Sequence, residues 1–323
     1  MSLDRALDGV PFEIDLIRCF EAARQLSTFS PVDEVHPWNR ESKRSQFVFK
    51  TLFVSICHQF NWDYLQSALA SWLLPNPIRH LAEAADCTPS RIGALLSDYP
   101  KQERVRASER AHLLRDTAQH LSAMLSDGSI ETLMRRKNLE GVGGFYSTIG
   151  QLRAFQGDPL EKKIRVLAHD LHRERILVFA DPENLKPAVE YHLIRLYLRT
   201  GRVYPTDSSV RELLVGDQER ARRRLVMTLR GQVDEAMRQT ALYAGLDIAT
   251  LNYIEWQIAR STCLPALSAA TANAHCRGKS SPELPPDVSA LTTDGCPFTH
   301  TCRSLNDAEY GWYHEPQFEK AIY

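Results

Sequence analysis

Apolar residues recur at helical spacing along most of this chain, and this pattern constrains its fold more than any other feature. One set lies near the N-terminus and another in a long charged segment: Leu16, Phe20 and Ala23, and then Leu113, Ala118, Leu121 and Leu125. Neither Gly nor Pro interrupts the sequence between Lys101 and Asp127. No segment alternates between polar and apolar residues for long enough to form a sheet of any size. The pattern therefore predicts an all-α protein.

Local signals predict where several helices begin and end. Residues 47–74 form the most apolar stretch, and its length favours helices, although residues 53–56 would also fit a strand. Ser90, which precedes the letters RIGALL, is typical of a helix N-cap. Proline is typical of a first helical turn and glycine of the position after the last, so we predict a helix that opens at Pro187 and stops at Gly201.

The length of the chain limits the number of domains, and its charge limits the kinds of partner. The chain has 323 residues, 43% of them hydrophobic, which suffices for one large domain or two smaller ones. Its formal net charge of −1 gives no overall attraction to nucleic acid. Residues 219–230 nevertheless hold five arginines against one glutamate, and a local basic face binds phosphate without a high overall charge. Arg222 and Arg223 are therefore candidate DNA contacts, although such a cluster is also typical of a solvated helix face.

The sequence also predicts the cellular compartment in which the protein is located. It contains no run of about 18 apolar residues, so we expect no membrane span. Its first 23 residues lack the basic start and long apolar run of a signal peptide. We therefore expect a cytoplasmic monomer. In a reducing compartment the seven cysteines favour a metal site or free thiols over disulfides.

Four cysteines cluster near the C-terminus, with the spacing C-x12-C-x19-C-x5-C: Cys263, Cys276, Cys296 and Cys302. Four thiolates can hold Zn²⁺ or a [4Fe–4S] cluster, and His275 and His300 are alternative zinc ligands. Residues 277–298 are rich in Ser, Pro and Gly, which predicts a loop that a metal would anchor. The alternative is that these cysteines are scattered small apolar residues, as we expect for the core cysteines Cys19, Cys57 and Cys87.

Residues 157–167 (GDPLEKKIRVL) resemble the hairpin and following helix of the helix-hairpin-helix base-excision glycosylases. In that family the hairpin approaches the DNA backbone through glycine amides, and a lysine often stands at the helix start. The resemblance therefore implies backbone contacts for Gly157 and Lys162. A second candidate for the hairpin, residues 139–144 (LEGVGG), is similar to the family's Leu-Pro-Gly-Val-Gly.

Residues 189–196 (VEYHLIRL) resemble the family's stretch Val-Asp-x-His-Val-x-Arg, whose aspartate is the catalytic carboxylate. Glu190 stands at that position here, and Asp181 is the competing carboxylate. A carboxylate beneath the sugar would stabilise the positive charge that develops as the N-glycosidic bond breaks. Lys163 would be the nucleophile of a lyase, but we expect a monofunctional enzyme that uses water.

Residues 53–62 resemble, more weakly, the N-terminal helix in which a glutamine helps to form the wall of the base pocket. A flipped base needs amides for its edge and aromatic rings for its faces. Gln59, Asn61 and Trp62 supply these groups, and a carboxylate would face them from across a cleft. The alternative is that Trp62 belongs to the core and Asn61 caps a helix.

Residues 296–302 (CPFTHTC) look like the last two ligands of the family's cluster loop, and residues 253–263 resemble the helix that delivers the first. The resemblance covers about half of the chain. It implies a two-lobed helical domain with a cleft between the lobes in residues 1–262, and a Cys-containing metal or cluster loop and tail in residues 263–323. The cofactor would be a [4Fe–4S] cluster, with zinc as the alternative.

The implied function is a DNA N-glycosylase that excises a damaged or modified base from double-stranded DNA. Two alternatives stay open. One is a nucleoside or nucleotide N-glycosylase of the queuosine-salvage kind, in which Asp181 would be the functional residue. The other is a non-enzymatic helical binding module stabilised by zinc.

Overall fold

The computed structural model describes residues 11–32, 36–156, 161–215, 223–263, 284–293 and 295–314. Of the described residues, 65% are helical and 2% lie in strands, which confirms the prediction of an all-α protein. The chain divides into two compact units. Unit 1 takes its residues from Met1–Val32 and Lys186–Ala321, and unit 2 takes in Asp33–Leu185. Described residues on both sides of position 263 belong to unit 1, and the predicted boundary at that position stays a prediction.

Among its described residues, unit 2 consists of helices joined by turns and loops, with no strand. Its α-helices are α2 (Lys43–Ser55), α3 (Trp62–Leu73), α4 (Leu81–Ala85), α5 (Pro89–Leu95), α6 (Ala107–Ser126), α7 (Ser129–Arg136), α8 (Phe145–Ile149), α9 (Arg153–Gln156) and α10 (Lys162–Arg173), and α1 belongs to unit 1. Every residue of α2 from Ser45 to Ser55 is buried, and α6 and α10 pack against this helix. Its buried polar residues are paired, since the Nζ of Lys50 donates to the carboxylates of Asp170 and Glu174.

Unit 1 joins the two ends of the described chain. Its elements are β1 (Phe12–Ile14), α1 (Leu16–Leu26), α11 (Tyr191–Thr200), β2 (Val203–Pro205), α12 (Ser208–Val215), α13 (Arg223–Ala244), α14 (Ile248–Ser261), α15 (Pro286–Leu291) and α16 (Ala308–Trp312). The two short strands pair antiparallel, with Phe12 opposite Pro205 and Ile14 opposite Val203. One hydrophobic core runs through α1, α11, α13 and α14 and takes in Phe298 and Tyr310 from the C-terminal segment.

An ion pair is sealed inside unit 1. Arg202 and Glu255 are both fully buried, and the guanidinium Nη1 lies 2.5 Å from the carboxylate Oε1. The hydroxyl of Tyr197 donates to the other carboxylate oxygen, and its ring lies against the guanidinium. Buried charges cost much solvation energy unless they are paired and hydrogen-bonded in this way, so the pair ties α14 to the turn after α11.

Two local predictions of helix starts need correction. Thr88, and not Ser90, caps α5, because its hydroxyl accepts the hydrogen bond from the backbone of Arg91. Helix α11 begins at Tyr191 and does not open at Pro187. Residues 185–190 before it form no helix, Glu190 is extended, and the N–H of Ala188 donates to the side chain of Asn252. The predicted end of this helix at Gly201 is confirmed.

The loop predicted for residues 277–298 is wrong in part, because α15 lies within it. Two consecutive prolines, Pro285 and Pro286, stand at the start of this six-residue helix, where their missing N–H groups cost no hydrogen bond. The prediction that Cys57 belongs to the core is also wrong, because this residue follows α2 and is only half-buried. Cys19 and Cys87 are buried as predicted. None of the helices within the described ranges is both long and apolar enough to cross a membrane.

Candidate functional site

A glycine-rich hairpin joins two helices of unit 2. Helix α7 ends at Arg136, residues 137–144 form the turn, and α8 begins at Phe145. Gly141 and Gly143 have φ angles of 87° and 74°, a left-handed conformation that favours glycine. A Cβ on Gly144 would lie 2.4 Å from the carbonyl oxygen of Glu140, so no other residue fits there. The sequence LEGVGG therefore has glycine at the three positions where this turn requires it.

Backbone hydrogen bonds close the base of this hairpin and leave its tip in solvent. The N–H of Phe145 donates to the carbonyl of Asn138 at 2.8 Å, and that of Tyr146 donates to Leu139 at 3.1 Å. At the tip, Val142 is 100% exposed and both neighbouring glycines are exposed. A glycine turn of this kind lets another backbone or a phosphate approach the main chain closely.

Asp181 fastens the hairpin. Its Oδ1 accepts the N–H of Leu139 at 2.7 Å, and its Oδ2 accepts the N–H of Glu140 at 3.3 Å and the side-chain amide of Asn184 at 3.0 Å. Burial raises the pKa of this carboxyl, but the three donors outweigh burial and hold the pKa below the usual range. Both oxygens of the carboxylate are therefore engaged in holding the loop.

Basic and hydroxyl groups surround the hairpin. Arg135, Arg136 and Lys137 are exposed at the end of α7. The Nη1 of Arg136 lies over Gly143, only 3.0 Å from where a Cβ would stand. A shallow hollow of about 180 Å³ opens beside it, lined by the carboxylate of Asp127 as well as by Ser129, Thr132, Arg136, Gly143 and Thr148. The guanidinium and the hydroxyls suit an anion such as a phosphodiester, whereas the Asp127 carboxylate, which accepts the N–H of Ser129, opposes one.

Glu190 occupies a different environment, in unit 1. It is 4% exposed and is the N-cap of α11, where its Oε1 accepts the N–H of His192 at 2.9 Å. One turn further on, the guanidinium of Arg195 donates to the carbonyls of Cys263 and Ala259 at 2.7 and 2.8 Å. The carboxylate thus stands at the positive end of a helix that is tied to the end of α14.

The three predicted pocket residues lie together in unit 2, around the start of α3. Gln59 has a left-handed φ of 51°, is exposed, and accepts a hydrogen bond from Arg106 at 3.3 Å. Asn61 caps α3 by accepting the N–H of Tyr64 at 2.8 Å. Trp62 is half-buried and packs edge-on against Phe53. The prediction that Glu190, or else Asp181, faces this group stays a prediction.

Lys163 lies close to the same segment. Only 9% of this residue is exposed, and its Nζ donates to the carbonyl of Ser55 at 3.0 Å, at the end of α2. Lys162, its neighbour in the first turn of α10, is half-buried. A buried ammonium that donates to a carbonyl at a helix C-terminus stabilises that terminus. This contact is typical of a structural lysine and not of a solvent-facing one.

Two buried polar residues close to Lys163, Arg110 and His58, were not predicted from the sequence. The guanidinium of Arg110 donates to the carbonyls of Val105, Ile56 and His58 and so holds the turn after α2. Burial, followed by the positive charges of Lys163, Arg110 and Arg106, lowers the pKa of His58 to about 2, so its imidazole is neutral. The only sequence signal for these contacts was the presence of an arginine, Arg110, within the helical pattern of α6.

Two of the four predicted metal ligands contact one residue of α11. The Nη1 of Arg199 lies 3.7 Å from the sulfur of Cys263, and the thiol of Cys302 lies 3.6 Å from the carbonyl of Arg199. Cys276 is outside the described residues, and Cys296 is half-buried. Among the residues that the structure describes, no group of three or more His, Cys, Asp and Glu side chains could hold a metal ion. The four-cysteine centre stays a prediction.

Three of the predicted DNA contacts have side chains or backbone outside the described residues. Gly157 and Arg222 lie outside the described residues, and Arg223 begins α13 with its side chain outside them. Lys162 is the one that the structure describes. Comparison of the sequence with models of known families gives no match, and comparison with curated proteins gives none either.

Proposed function

We propose that the protein is a DNA N-glycosylase that holds duplex DNA through the hairpin of residues 137–144. The observation that carries this proposal is the hairpin itself: an exposed glycine turn between two helices, fastened at its base and flanked by three cations. Backbone amides and arginines that contact phosphate position a protein on DNA without reading its sequence. Of the two candidates for the hairpin, LEGVGG is the one that the described residues support.

The chemical step in this proposal belongs to Glu190. Cleavage of an N-glycosidic bond develops positive charge on the sugar, and a nearby carboxylate stabilises that charge and orients water. Glu190 suits the role because it is buried on a rigid helix terminus whose dipole favours the ionised carboxylate. Asp181 suits it less, because hairpin donors already engage both of its oxygens. Lys163 binds a main-chain carbonyl, which supports a monofunctional enzyme that uses water.

Binding is tested by two glycine substitutions. Gly144→Ala would drive a Cβ into the carbonyl of Glu140 and should distort the hairpin, whereas Gly93→Ala in α5 meets nothing within 4 Å. We expect Gly144→Ala to weaken binding of a modified-base duplex at least about tenfold, and Gly93→Ala to bind like the native chain. Replacing Arg136 by Gln should lower the slope of log affinity against log salt by about one.

Catalysis is tested separately by measuring free base released from duplexes that each carry one modified base. The same base is offered as a nucleoside. Release from the duplex alone supports a DNA glycosylase, and release from the nucleoside alone supports the queuosine-salvage alternative. Tight, salt-dependent duplex binding without release of any base would remove the enzymatic part of the proposal and leave a nucleic-acid-binding module.

A further inference from the structure

A buried histidine without a hydrogen bond lies in unit 2, in the turn between α2 and α3. His58 is 5% exposed, and neither of its ring nitrogens has a hydrogen-bond partner among the residues that the structure describes. The Nε2 lies 3.2 Å from Oε1 of Glu109, which is ion-pair distance for a protonated ring but falls outside hydrogen-bond geometry. Such a group is unusual in a folded protein, because burial removes its water contacts and nothing replaces them.

The charges that face this imidazole come from two helices and from the turn itself. Lys163 in α10, Arg110 in α6 and Arg106 just before α6 all oppose a positive charge on the ring. The carboxylate of Glu109 would favour that charge, but the Nη2 of Arg106 already pairs with it at 2.6 Å. The thiol of the preceding residue, Cys57, offers no negative charge, because burial raises its pKa. This environment therefore accommodates a neutral imidazole and opposes a protonated one.

A strained contact closes the chain beside the imidazole. Gln59 follows His58 directly, and its side chain accepts a hydrogen bond from the Nη1 of Arg106 at 3.3 Å. Gln59 and Arg106 have φ angles of 51° and 45°, a left-handed conformation that is unfavourable for residues other than glycine. Contacts around them hold both residues in place, and separation of the two would relieve backbone strain. We call His58, Gln59, Arg106 and Glu109 the His58 corner.

We propose that the His58 corner is an acid-sensitive latch, which holds residues 58–61 against α6 at neutral pH and opens as the imidazole takes up a proton from water. Opening releases the segment that carries the three predicted pocket residues. The latch lies within unit 2 and does not depend on the proposed glycosylase activity. Histidine suits such a device, because its charge changes close to physiological pH once it reaches water.

Proton uptake couples the opening of the latch to pH. Burial and the surrounding cations lower the pKa of His58 to about 2 in the closed form, whereas a solvated histidine has a pKa of about 6.5. Between these values only the open form binds the proton. The closed form is therefore fully favoured above about pH 6.5 and loses about tenfold for each pH unit below it. Opening should be about a hundredfold more frequent at about pH 4.5 than at about pH 7.5.

Hydrogen exchange of the full chain measures this opening, after correction for the intrinsic pH dependence of exchange. The reporters are the amides of Cys57 and Tyr64, whose hydrogen bonds lie on either side of the imidazole in the sequence, and amides in the middle of α6 are the reference. Protection of the reporters relative to the reference should fall about a hundredfold between about pH 7.5 and pH 4.5. His58→Gln, which cannot take up a proton, should abolish this fall. His112→Gln, at an exposed histidine of α6, is the matched control and should retain it.

The ring signals of the native chain in nuclear magnetic resonance give a second measurement, which does not require that His58→Gln folds. The imidazole of His58 should stay neutral at about pH 5 as long as the reporter amides remain protected. A ring that protonates near pH 6.5 while the reporters stay protected overturns the proposal. Reporter protection that is unchanged by pH, that falls equally throughout the chain, or that falls as much in His58→Gln as in the native chain also overturns it.

Discussion

Asp181 in unit 2 and Glu190 in unit 1 are separated by only eight residues of the chain, yet the fold uses their carboxylates in different ways. Asp181 is half-buried and accepts two main-chain N–H groups from a distant loop and one side-chain amide. Glu190 is almost fully buried and accepts the N–H of His192, within its own helix. The first carboxylate fastens tertiary structure, whereas the second sits at a helix terminus.

The difference bears on the catalytic role that we propose for Glu190. A carboxylate whose oxygens are engaged by donors from another segment cannot approach a sugar without releasing them, and release would loosen the hairpin. A carboxylate that caps its own helix stays on a rigid element while it interacts with substrate. By residue type alone, both residues are equal candidates for the catalytic carboxylate. Their contacts in the structure give them different expected roles.

The largest expected effect belongs to Glu190→Gln. This change keeps the shape of the side chain and an oxygen that can accept from His192, but it removes the charge. We expect base release to fall on the order of 10²–10³-fold while duplex affinity stays within about twofold of native. Single-turnover release and equilibrium binding measure the two quantities. Glu183→Gln, at an exposed acidic residue, is the control and should leave both unchanged.

The next effect is that of Asp181→Asn. One oxygen would become an amide donor directed at a main-chain N–H, so the hairpin should loosen. We expect duplex affinity to fall about tenfold, and the free energy of unfolding to fall by about 1–2 kcal/mol because the site is partly exposed. Urea titration and equilibrium binding provide the measurements. Native affinity combined with lost base release would reverse the roles that we assign to Asp181 and Glu190.

The pH dependence of stability gives a sharper test of the Asp181 contacts. Its pKa is lowered in the folded protein, so its contribution is complete above the ordinary value of about 3.9 and is lost as the pH falls through the folded value. The native chain and Asp181→Asn should therefore differ in stability at pH 6 and converge in acid. Equal differences at both ends of a urea series from about pH 6 to pH 2 would contradict the assignment.

The smallest effect is expected at Asn61, a second residue that caps its own helix. Asn61→Ala should cost about 1 kcal/mol of stability, and Asn61→Asp should cost little because aspartate caps equally well. Base release separates the two interpretations of this residue. If Asn61 also contacts the base, Asn61→Asp should lose activity while keeping the cap; if it only caps α3, both activity and stability should survive.

Helical periodicity by itself determined the class of fold. The spacing of Leu16, Phe20 and Ala23 predicts α1, and the uninterrupted charged segment predicts most of α6. Gly201 predicts the end of α11, because a glycine with positive φ terminates a helix locally. Signals of this kind depend on interactions between residues within a few positions of each other in the chain, although the wrong helix starts at Ser90 and Pro187 show that they locate a boundary less well than a helix.

Only the tertiary structure decided what the polar residues contact. The sequence offers Asp181 and Glu190 as alternatives, because it contains no information on which donors will surround each carboxylate. The hairpin amides that engage Asp181 lie about 40 residues earlier in the chain. Lys163 and Ser55 are farther apart still, and no local pattern predicts their contact. Helices form from neighbours in sequence, whereas a buried charge is stabilised by whatever partners folding brings to it.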